Sequence, residues 1–558
     1  MSFVLPVFTG LFAGLWAVAF RKLIGLFQWL FFDGIEPALG SGYWVIVLPA
    51  MGGLLVGILV YYGAREAKGH GVPEVMEAVQ ERGGRIRGRV AVIKALASSI
   101  CIGSGGSVGR EGPIVQIGSA AGSFIGQRLR LSEDYVRMLV ACGAAGGIAA
   151  TFNAPIAGAF FALEVILRHV STRNFGQVVL SAVVADLVAM PILGRIPAFP
   201  TPTYVLSSYW ELPFYVALGL GAGLVGVLFF RALYLMEDVF NRIRPMPEWF
   251  KPALGGLAIG ALGLFYPQLF GVGYESIKDA LAGSFGIWTL LTIGLLKIAA
   301  TSFTLGSGGS GGVFAPSLFI GAMLGGALGL ALHGAFPSVV TASGGYSIVG
   351  MAALFAAAAR APMTSILIVF EMTRDYAIIL PLILAVVTAT ATSRLLSRDT
   401  IYTLKLTRRG VDILGRRRRF LEHTVTVAEV MTKDFSVVPA SKPVRELLDE
   451  FEAKATHGFP IVDERGELVG IVTLVDVHKA MSEDRGHATA GDIATKTLII
   501  TYPDVPVQDI LKKPGAFDLG RIPVVSRDNR RHLVGVLRRE DIVRAYLREA
   551  GEEETQEE

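Results

Sequence analysis

The sequence has few of the residues from which most catalytic and metal centres are built. It contains only two cysteines, Cys101 and Cys142, so we expect neither a disulfide framework nor a thiolate metal site. No nucleophile–base pair, metal-ligand cluster or cofactor loop emerges, and an enzyme is not predicted. The net charge of +4 argues neither for nor against nucleic acid, and no nucleic-acid partner is predicted.

Charge is also scarce in the first 400 residues. Of the 98 Lys, Arg, Asp and Glu residues, 46 lie in residues 1–400 and 52 in the last 158. The whole chain is 52% hydrophobic and has a mean hydropathy of +0.54, which is too apolar for one soluble enzyme. The contrast predicts a polytopic membrane domain followed by a water-soluble domain.

Long uninterrupted apolar runs are few in the predicted membrane domain. The first twenty residues lack a basic region and a cleavage site, so they are predicted to be a retained membrane helix. Several later segments are shorter than the roughly 20 residues of a straight span, and many are broken by Gly or Pro. Broken helices at membrane depth survive where they are buried in protein or line a watery cavity, so a transport pathway is predicted. The clearest segments are 43–63, 178–194, 214–230, 287–303 and 377–393.

The membrane domain carries an internal duplication. GSGGSVGREGPIVQIG (103–118) and GSGGSGGVFAPSLFIG (306–321) are identical at nine of sixteen positions with an offset of 203, which also relates Lys94 to Lys297. An offset of 207 relates Glu164 to Glu371. Corresponding Gly/Pro-interrupted segments in two halves indicate a transporter's binding site.

The sequence after Arg398 changes in character. KLTRRGVDILGRRRR (405–419) has seven basic residues and one acid, and by the positive-inside rule this end is cytoplasmic. HGFPIVDERGELVGIVTLVDV (457–477) is echoed by residues 520–543, each copy predicting strand, turn, strand and helix. The predicted domains are a membrane domain (1–403), a basic linker (404–423), a tandem α/β domain (424–546) and an acidic tail (547–558).

Three glycine-rich stretches predict an anion site. GHGVPEV (69–75), GREGP (109–113) and GGVFAP (311–316) each lead into a helix-compatible segment. GSGGSVGREGP (103–113) lacks the Lys-Ser/Thr of a phosphate loop, and Val108 stands where a dinucleotide loop has its third glycine. Helix N-termini present unpaired N–H groups, and glycine lets that backbone approach an ion closely. Close packing of membrane helices is the alternative use of the same glycines.

These stretches resemble the signature segments of the CLC family of chloride channels and chloride/proton exchangers. FNAPIAGAFFALE (152–164) and IYTLKL (401–406) resemble further family segments, and the C-terminal pair resembles tandem CBS (cystathionine β-synthase) domains. The resemblance implies an all-α membrane domain with an inverted repeat of broken helices, followed by the CBS pair. It also implies a homodimer in the cell membrane, with one pore per subunit and cytoplasmic CBS domains.

The resemblance implies roles for individual residues. Glu111 is the gating glutamate, whose carboxylate competes with the anion for one site. The cradle for chloride or a similar small anion is formed by His70, Gly71, Arg110, Glu111, Gly112, Val313, Phe314, Ala315 and Tyr402.

Two positions depart from the family pattern. His70 stands where chloride transporters usually have serine, so either its imidazole contacts the anion or the ring turns away and backbone groups bind the ion. Val165 stands at the proton-relay position of the exchangers, and valine cannot carry a proton. The sequence therefore favours a chloride channel modulated by the CBS domains, with an exchanger using an atypical proton route as the alternative.

The remaining expectations concern cofactors and rival substrates. No cofactor is required, but Thr473 and Asp476 in the first CBS repeat, with Arg538 and Asp541 in the second, fit a site for a regulatory adenine nucleotide. A fluoride exchanger and a divalent-cation transporter with CBS domains are rival functions. The second is disfavoured because the glycine loops present donors, whereas Mg²⁺ requires oxygen ligands.

Overall fold

The computed structural model of the chain contains two compact units, residues 1–413 and 414–558. The residues that the structure describes are 3–39, 42–168, 172–194, 208–243, 245–340, 344–411, 426–454, 456, 458–511, 521–538 and 540–541.

The first half of the membrane unit is helical throughout its regular elements. A π-helical segment, Trp29–Ile35, extends the first helix, and a second one, Ala162–Leu167, extends α8. The helices are α1 (Val4–Gln28), α2 (Glu36–Leu39), α3 (Leu48–Tyr62), α4 (Val72–Glu81), α5 (Arg89–Gly103), α6 (Glu111–Arg128), α7 (Glu133–Phe152), α8 (Pro155–Phe161) and α9 (Thr172–Leu193).

The second half repeats this order of long and short helices. The offset of 203 relates the starts of α6 and α14, and the offset of 207 relates the starts of α8 and α16. The helices are α10 (Leu212–Arg242), α11 (Lys251–Phe265), α12 (Tyr274–Leu281), α13 (Ile287–Gly306), α14 (Phe314–Ala335), α15 (Gly344–Ala359), α16 (Pro362–Thr373) and α17 (Ile379–Leu396).

The two halves contact each other reciprocally through one pair of glutamates. Glu164 accepts hydrogen bonds from the backbone N–H groups of Met363 (3.2 Å) and Thr364 (2.8 Å) at the start of α16. Glu371 accepts from Ile156 (3.1 Å) and Ala157 (2.7 Å) at the start of α8. Each carboxylate therefore caps a helix of the other half. Such an exchange of equivalent contacts is the mark of a two-fold relation between the halves.

The glycines at the centre of each repeat also pack helices together. A Cβ atom on Gly118 of α6 would overlap the carbonyl of Gly143 of α7, and Gly321 and Gly350 of α14 and α15 repeat this contact. Part of the glycine content therefore serves close helix packing, the alternative that the sequence left open.

Eight helices of the described residues are long and apolar enough to cross a membrane. Other apolar helices have only 10–17 residues, as expected for broken spans. The predicted class, a polytopic helical domain of broken, duplicated helices, is confirmed. The eight candidate spans are Val4–Ile35, Gly42–Tyr62, Glu133–Phe152, Asn174–Leu193, Tyr209–Arg242, Ile287–Gly306, Phe314–Ala335 and Ile379–Leu396.

Residues 404–411, assigned to the basic linker from the sequence, belong to the membrane unit. They include most of helix α18 (Thr403–Arg408). Lys405 Nζ lies 3.1 Å from Glu74 Oε1 of α4, and Arg409 binds both Glu74 (2.9 Å) and Glu77 (3.0 Å). These basic side chains thus pair with acids of the same unit. The other residues of the predicted linker, 412–423, and the predicted acidic tail lie outside the described residues.

The second unit contains two small sheets with helices against them. The first sheet has the order β1 (Val438–Pro439), β2 (Gly458–Val462), β3 (Leu468–Thr473), with β1 parallel and β3 antiparallel to β2. The second pairs β4 (Arg521–Val525) antiparallel to β5 (Leu533–Arg538). The predicted α/β repeats are confirmed. The helices are α19 (Val427–Val430), α20 (Val444–Lys454), α21 (Leu474–Ser482), α22 (Ala490–Ile493) and α23 (Val507–Leu511).

Candidate anion-binding site

Two of the three predicted glycine loops are hydrogen-bonded to each other. The N–H of Gly109 donates to the carbonyl of Gly312 (2.7 Å), and the N–H of Gly312 donates to the carbonyl of Gly109 (2.6 Å). This antiparallel bridge joins equivalent points of the two repeats. It brings the N-termini of α6 and α14 side by side in the interior of the unit.

The third loop is tied to the same place. The N–H of Gly69 donates to the carbonyl of Gly309 (2.9 Å), and the N–H of Gly311 donates to Gly69 (3.2 Å). Buried Lys94 donates from Nζ to the Gly69 carbonyl (2.6 Å). Gly71 has φ of +82°, a conformation that favours glycine, immediately before α4 begins. The sequence prediction that the three stretches converge agrees with these contacts.

The first turns of α6 and α14 present backbone donors without intrahelical acceptors. The first α-helical bonds are made by Ile114, which donates to Arg110 (3.1 Å), and by Ser317, which donates to Val313 (3.1 Å). The N–H groups of residues 111, 112, 314 and 315 precede these bonds, while residues 113 and 316 are prolines without an N–H. The pair of helix ends is therefore suited to bind negative charge.

Gly112 lies where a side chain could not fit. A Cβ atom there would overlap the carbonyl oxygen of His70 and would lie 2.9 Å from Cα of Gly312. Three predicted site segments therefore meet within van der Waals distance at this one residue.

The Glu111 carboxylate reaches from α6 to the N-terminus of α14. Oε2 accepts from the N–H of Ala315 at 3.4 Å. Oε1 accepts from the hydroxyl of Tyr274 at 2.5 Å and lies 3.8 Å from Nε of Arg110. The Glu111 side chain is 1% exposed. A buried carboxylate thus accepts from a backbone donor at the N-terminus of the opposite helix, as an anion would.

Tyr274 was missed in the sequence. It is the first residue of α12. Cζ of the Arg110 guanidinium lies over its ring, 4.9 Å from the ring centroid. A signal was present: GVG (271–273) repeats GHG (69–71) at an offset of 202. The structure bears out the match, because Lys297 Nζ donates to the Gly271 carbonyl (3.0 Å) as Lys94 does to Gly69. The site therefore has a fourth glycine loop.

His70 is held by a second tyrosine that the sequence did not indicate. Its Nε2 lies 3.2 Å from the hydroxyl of Tyr234 in α10, and that hydroxyl donates to the carbonyl of Ile401 at 2.7 Å. The His70 and Tyr402 rings are in contact, with centroids 5.9 Å apart. His70 and Tyr234 line a cavity of about 20 Å³.

Val313 and Phe314 are placed at the same helix end. Val313 is the N-cap of α14, and Phe314 is its first residue. Both are 2% exposed. The Phe314 ring packs on Phe355 (4.1 Å between centroids) and on Phe152 (5.2 Å). These rings line the site with apolar surface, so the backbone donors there face little competition from water.

Val165 is buried in the membrane unit. It is 5% exposed and belongs to the π-helical segment after α8. This segment packs against α4. The neighbouring Glu164 carboxylate is used as the cap of α16 described above. No described contact links Val165 to Glu111.

The CBS residues predicted to bind a nucleotide already make hydrogen bonds within the second unit, and Thr473 with Asp476 forms the capping box of α21. Asp476 Oδ2 accepts from the hydroxyl (2.7 Å) and the N–H (2.8 Å) of Thr473. Asp541 Oδ2 accepts from the N–H of Arg538 (3.1 Å) and from the Thr432 hydroxyl (2.9 Å). Nε of Arg538 is buried and has no hydrogen-bond partner among the described residues. Within that part of the chain, no three His, Cys, Asp or Glu side chains are grouped to hold a metal.

Family models match both units of the chain. The model described as voltage gated chloride channel matches residues 52–394, and the CBS domain model matches residues 427–483 and 490–548. The first match covers more than half of the chain.

Curated relatives carry both channel and exchanger names. The chain is 35% identical over 417 residues to the H⁺/Cl⁻ exchange transporter ClcA of Vibrio cholerae, covering 72% of this chain and 88% of ClcA. It is 30% identical over 581 residues to the chloride channel protein CLC-f of Arabidopsis thaliana, covering 89% of this chain and 73% of CLC-f.

A solved structure has the same fold. It is the X-ray crystal structure of a slow cyanobacterial Cl⁻/H⁺ antiporter, with a TM-score of 0.68 and 28% identity over 74% of this chain and 98% of the antiporter.

Proposed function

This chain belongs to the CLC family of voltage-gated chloride channels, with a C-terminal pair of CBS domains, and we propose that it conducts chloride through the site at the N-termini of α6 and α14. It is a multi-pass membrane transport protein with cytoplasmic CBS domains, not an enzyme. The observation that carries the proposal is the Glu111 carboxylate, buried against the Ala315 N–H of the opposite helix.

The site suits chloride because the donors at the two helix ends are backbone dipoles rather than permanently charged side chains. Backbone N–H groups of Gly112, Phe314 and Ala315 attract an anion, and the cation of Arg110 stays on the tyrosine ring at the edge of the site. Weak, multi-point binding lets an ion leave as readily as it enters. A buried carboxylate at membrane depth is costly unless it serves function. In this proposal Glu111 is the gate, which closes the path when seated and opens it when displaced or protonated.

The proposal that the protein is a channel rather than an exchanger rests on Val165. The position at which family exchangers hold a relay carboxylate carries an isopropyl group, which neither binds nor releases a proton. We therefore propose chloride movement without stoichiometric proton movement. The names of ClcA and of the cyanobacterial antiporter favour the second candidate, a chloride/proton exchanger whose proton route bypasses Val165.

Chloride efflux from liposomes tests the gate. Glu111→Gln keeps the side-chain size and removes the charge, so the seated state loses its attraction to the helix dipoles and the efflux rate changes. The matched control is Glu275→Gln, because Glu275 lies in the same region but is 86% exposed and paired only with Lys278 in its described ion pairs. If both variants transport like the wild type, Glu111 is not the gate. If neither the wild type nor either variant moves chloride, the proposed substrate is wrong.

The proposal includes a homodimer embedded in membrane lipid. We expect a homodimer with one pathway in each subunit, as implied by the resemblance, surrounded by membrane lipid. Sedimentation in detergent should give the mass of two chains, and a monomer that retains full chloride efflux would exclude the dimer as a requirement.

A regulatory adenine nucleotide at the CBS pair is also proposed. The unused Nε donor of Arg538 fits a phosphate. The side chains of Thr473, Asp476 and Asp541 already make hydrogen bonds within the unit and would bind the nucleotide with their remaining donors and acceptors. ATP titration of the full-length protein tests this. Arg538→Gln should weaken binding, while Arg527→Gln, at an exposed pair with Asp504, should not. Equal affinities in the two variants, or no binding at all, would remove the nucleotide.

A further inference from the structure

The hydrogen bonds around His70 fix which ring nitrogen carries the proton. Tyr234 has one hydroxyl proton, and it is donated to the carbonyl of Ile401, which can only accept. The Tyr234 oxygen must therefore accept in its contact with Nε2 of His70. Nε2 carries the hydrogen, and in the neutral ring Nδ1 is left with a lone pair.

The Nδ1 atom is buried and has no hydrogen-bond partner among the described residues. His70 is 3% exposed. A buried acceptor without a donor costs about 1–3 kcal/mol, so Nδ1 is a favourable place for a donor or a proton. An anion cannot supply that donor, whereas a water in the adjoining cavity or a bound proton can.

Burial and the charged groups around His70 oppose its protonation while no anion is bound. Burial is the larger cause, because it disfavours the charged imidazolium. Three cations add to it: Lys405 from α18, Lys94 from α5, and Arg409 just after α18. The other titratable groups that face the ring or share its cavity are Tyr234, Tyr402, Lys68 and Glu237. The Glu74 carboxylate is already paired with Lys405 and Arg409.

We propose that Nδ1 of His70 is a proton-binding site that fills when an anion enters the pathway. The negative charge of the anion offsets the repulsion between the imidazolium and the neighbouring cations. The imidazolium in turn offers the anion an Nδ1–H donor. The proton comes from water in the cavity that His70 lines and returns there when the anion leaves. Because it binds and leaves on one side, no net proton transport results. This inference rests on the proposed anion pathway and makes anion affinity depend on the pH at that cavity.

The sequence left open whether the His70 imidazole contacts the anion or leaves it to backbone groups, and in this proposal the protonation state decides between the two. The neutral ring offers the anion no donor from Nδ1, whereas the charged ring contacts it directly. A serine at this position would donate at every pH. The histidine therefore makes anion affinity depend on pH, with tighter binding at lower pH, because only the protonated ring offers the donor.

Proton uptake on chloride binding tests the proposal. Chloride is titrated calorimetrically into purified full-length protein in buffers with different heats of ionisation, which counts the protons taken up. The Glu111→Gln background removes the proton that the gate itself could bind. We expect measurable proton uptake per chloride in Glu111→Gln, and clearly less in Glu111→Gln/His70→Gln. Glutamine still offers Tyr234 an N–H donor but cannot be protonated.

A second variant guards against misfolding of the first. Tyr234→Phe in the same background removes the acceptor that holds the proton on Nε2, so the neutral ring becomes free to place its hydrogen on Nδ1. Proton uptake per chloride should then fall while chloride still binds. Uptake that is absent in Glu111→Gln, or unchanged in both added variants, overturns the proposal. Absence of any chloride heat in every variant would instead show that the anion pathway itself is wrong, and the inference with it.

Discussion

The hydroxyl of Tyr274 should hold the gate of this protein in its seated position. Tyr274→Phe removes a 2.5 Å hydrogen bond to Glu111 Oε1 and keeps the ring on which Arg110 stacks. Hydrogen bonds to charged groups contribute about 1.5–3 kcal/mol. Because about 1.4 kcal/mol is a tenfold change in an equilibrium constant, the seated state should lose roughly 10- to 150-fold in population relative to the displaced state.

The assay is chloride current or liposome efflux at fixed chloride and pH. If the gate is mostly seated in the wild type, Tyr274→Phe should raise the initial rate until the open pathway limits it. The control is Tyr209→Phe, which makes the same chemical change on a side chain that is 79% exposed. The decisive comparison repeats Tyr274→Phe in the Glu111→Gln background, where the carboxylate is gone and the substitution should have little effect.

The double variant separates positioning from a merely structural role. If Tyr274→Phe changes the rate by the same factor with and without the Glu111 carboxylate, the hydroxyl acts on something other than the gate. If it leaves the rate unchanged in the wild type as well, the contact carries no free energy in the membrane.

Two further predictions concern the frame around the site. Glu164→Gln and Glu371→Gln each remove the charge of a carboxylate that caps a helix of the other half; each should lower the thermal unfolding temperature in detergent, with about 1–2 kcal/mol lost per cap, and an unchanged temperature in both would contradict the capping role. Thr473→Ala removes the hydroxyl of a capping box in the cytoplasmic unit and should cost about 1 kcal/mol of stability while leaving chloride efflux in the absence of nucleotide unchanged; a loss of that efflux with normal stability would contradict the capping role.

The duplication could be predicted from the sequence because each copy is a local pattern. Glycine and proline recur at the points where a helix must start close to another backbone, and the offsets of 203 and 207 preserve those points. The convergence of the loops followed from chemistry, since helix ends with free N–H groups require partners. The strands of the second unit followed equally from short apolar, β-branched runs.

The two tyrosines could not be found in that way. Tyr274 meets Glu111 across 163 residues, and Tyr234 meets His70 across 164. Neither contact follows a periodicity or a spacing, because each results from how helices of different repeats pack. Only the weaker repeat GVG (271–273), at an offset of 202 from GHG (69–71), marked the place where Tyr274 lies.

The predicted start of the basic linker at residue 404 differed from the structure for a similar reason. A run of Lys and Arg beyond the last span is typical of a solvated, lipid-facing segment. Lys405 and Arg409 instead pair with Glu74 and Glu77, more than 300 residues earlier in the chain. Charge composition alone does not reveal which cations have buried acidic partners.

Simultaneous recording of chloride efflux and external pH from chloride-loaded liposomes tests the central claim most directly. The account predicts chloride movement that Glu111→Gln alters, without a proton signal in stoichiometric proportion, because Val165 provides no relay. Steady proton movement driven by the chloride gradient, and lost in Glu111→Gln, would contradict it and identify an exchanger whose protons bypass Val165.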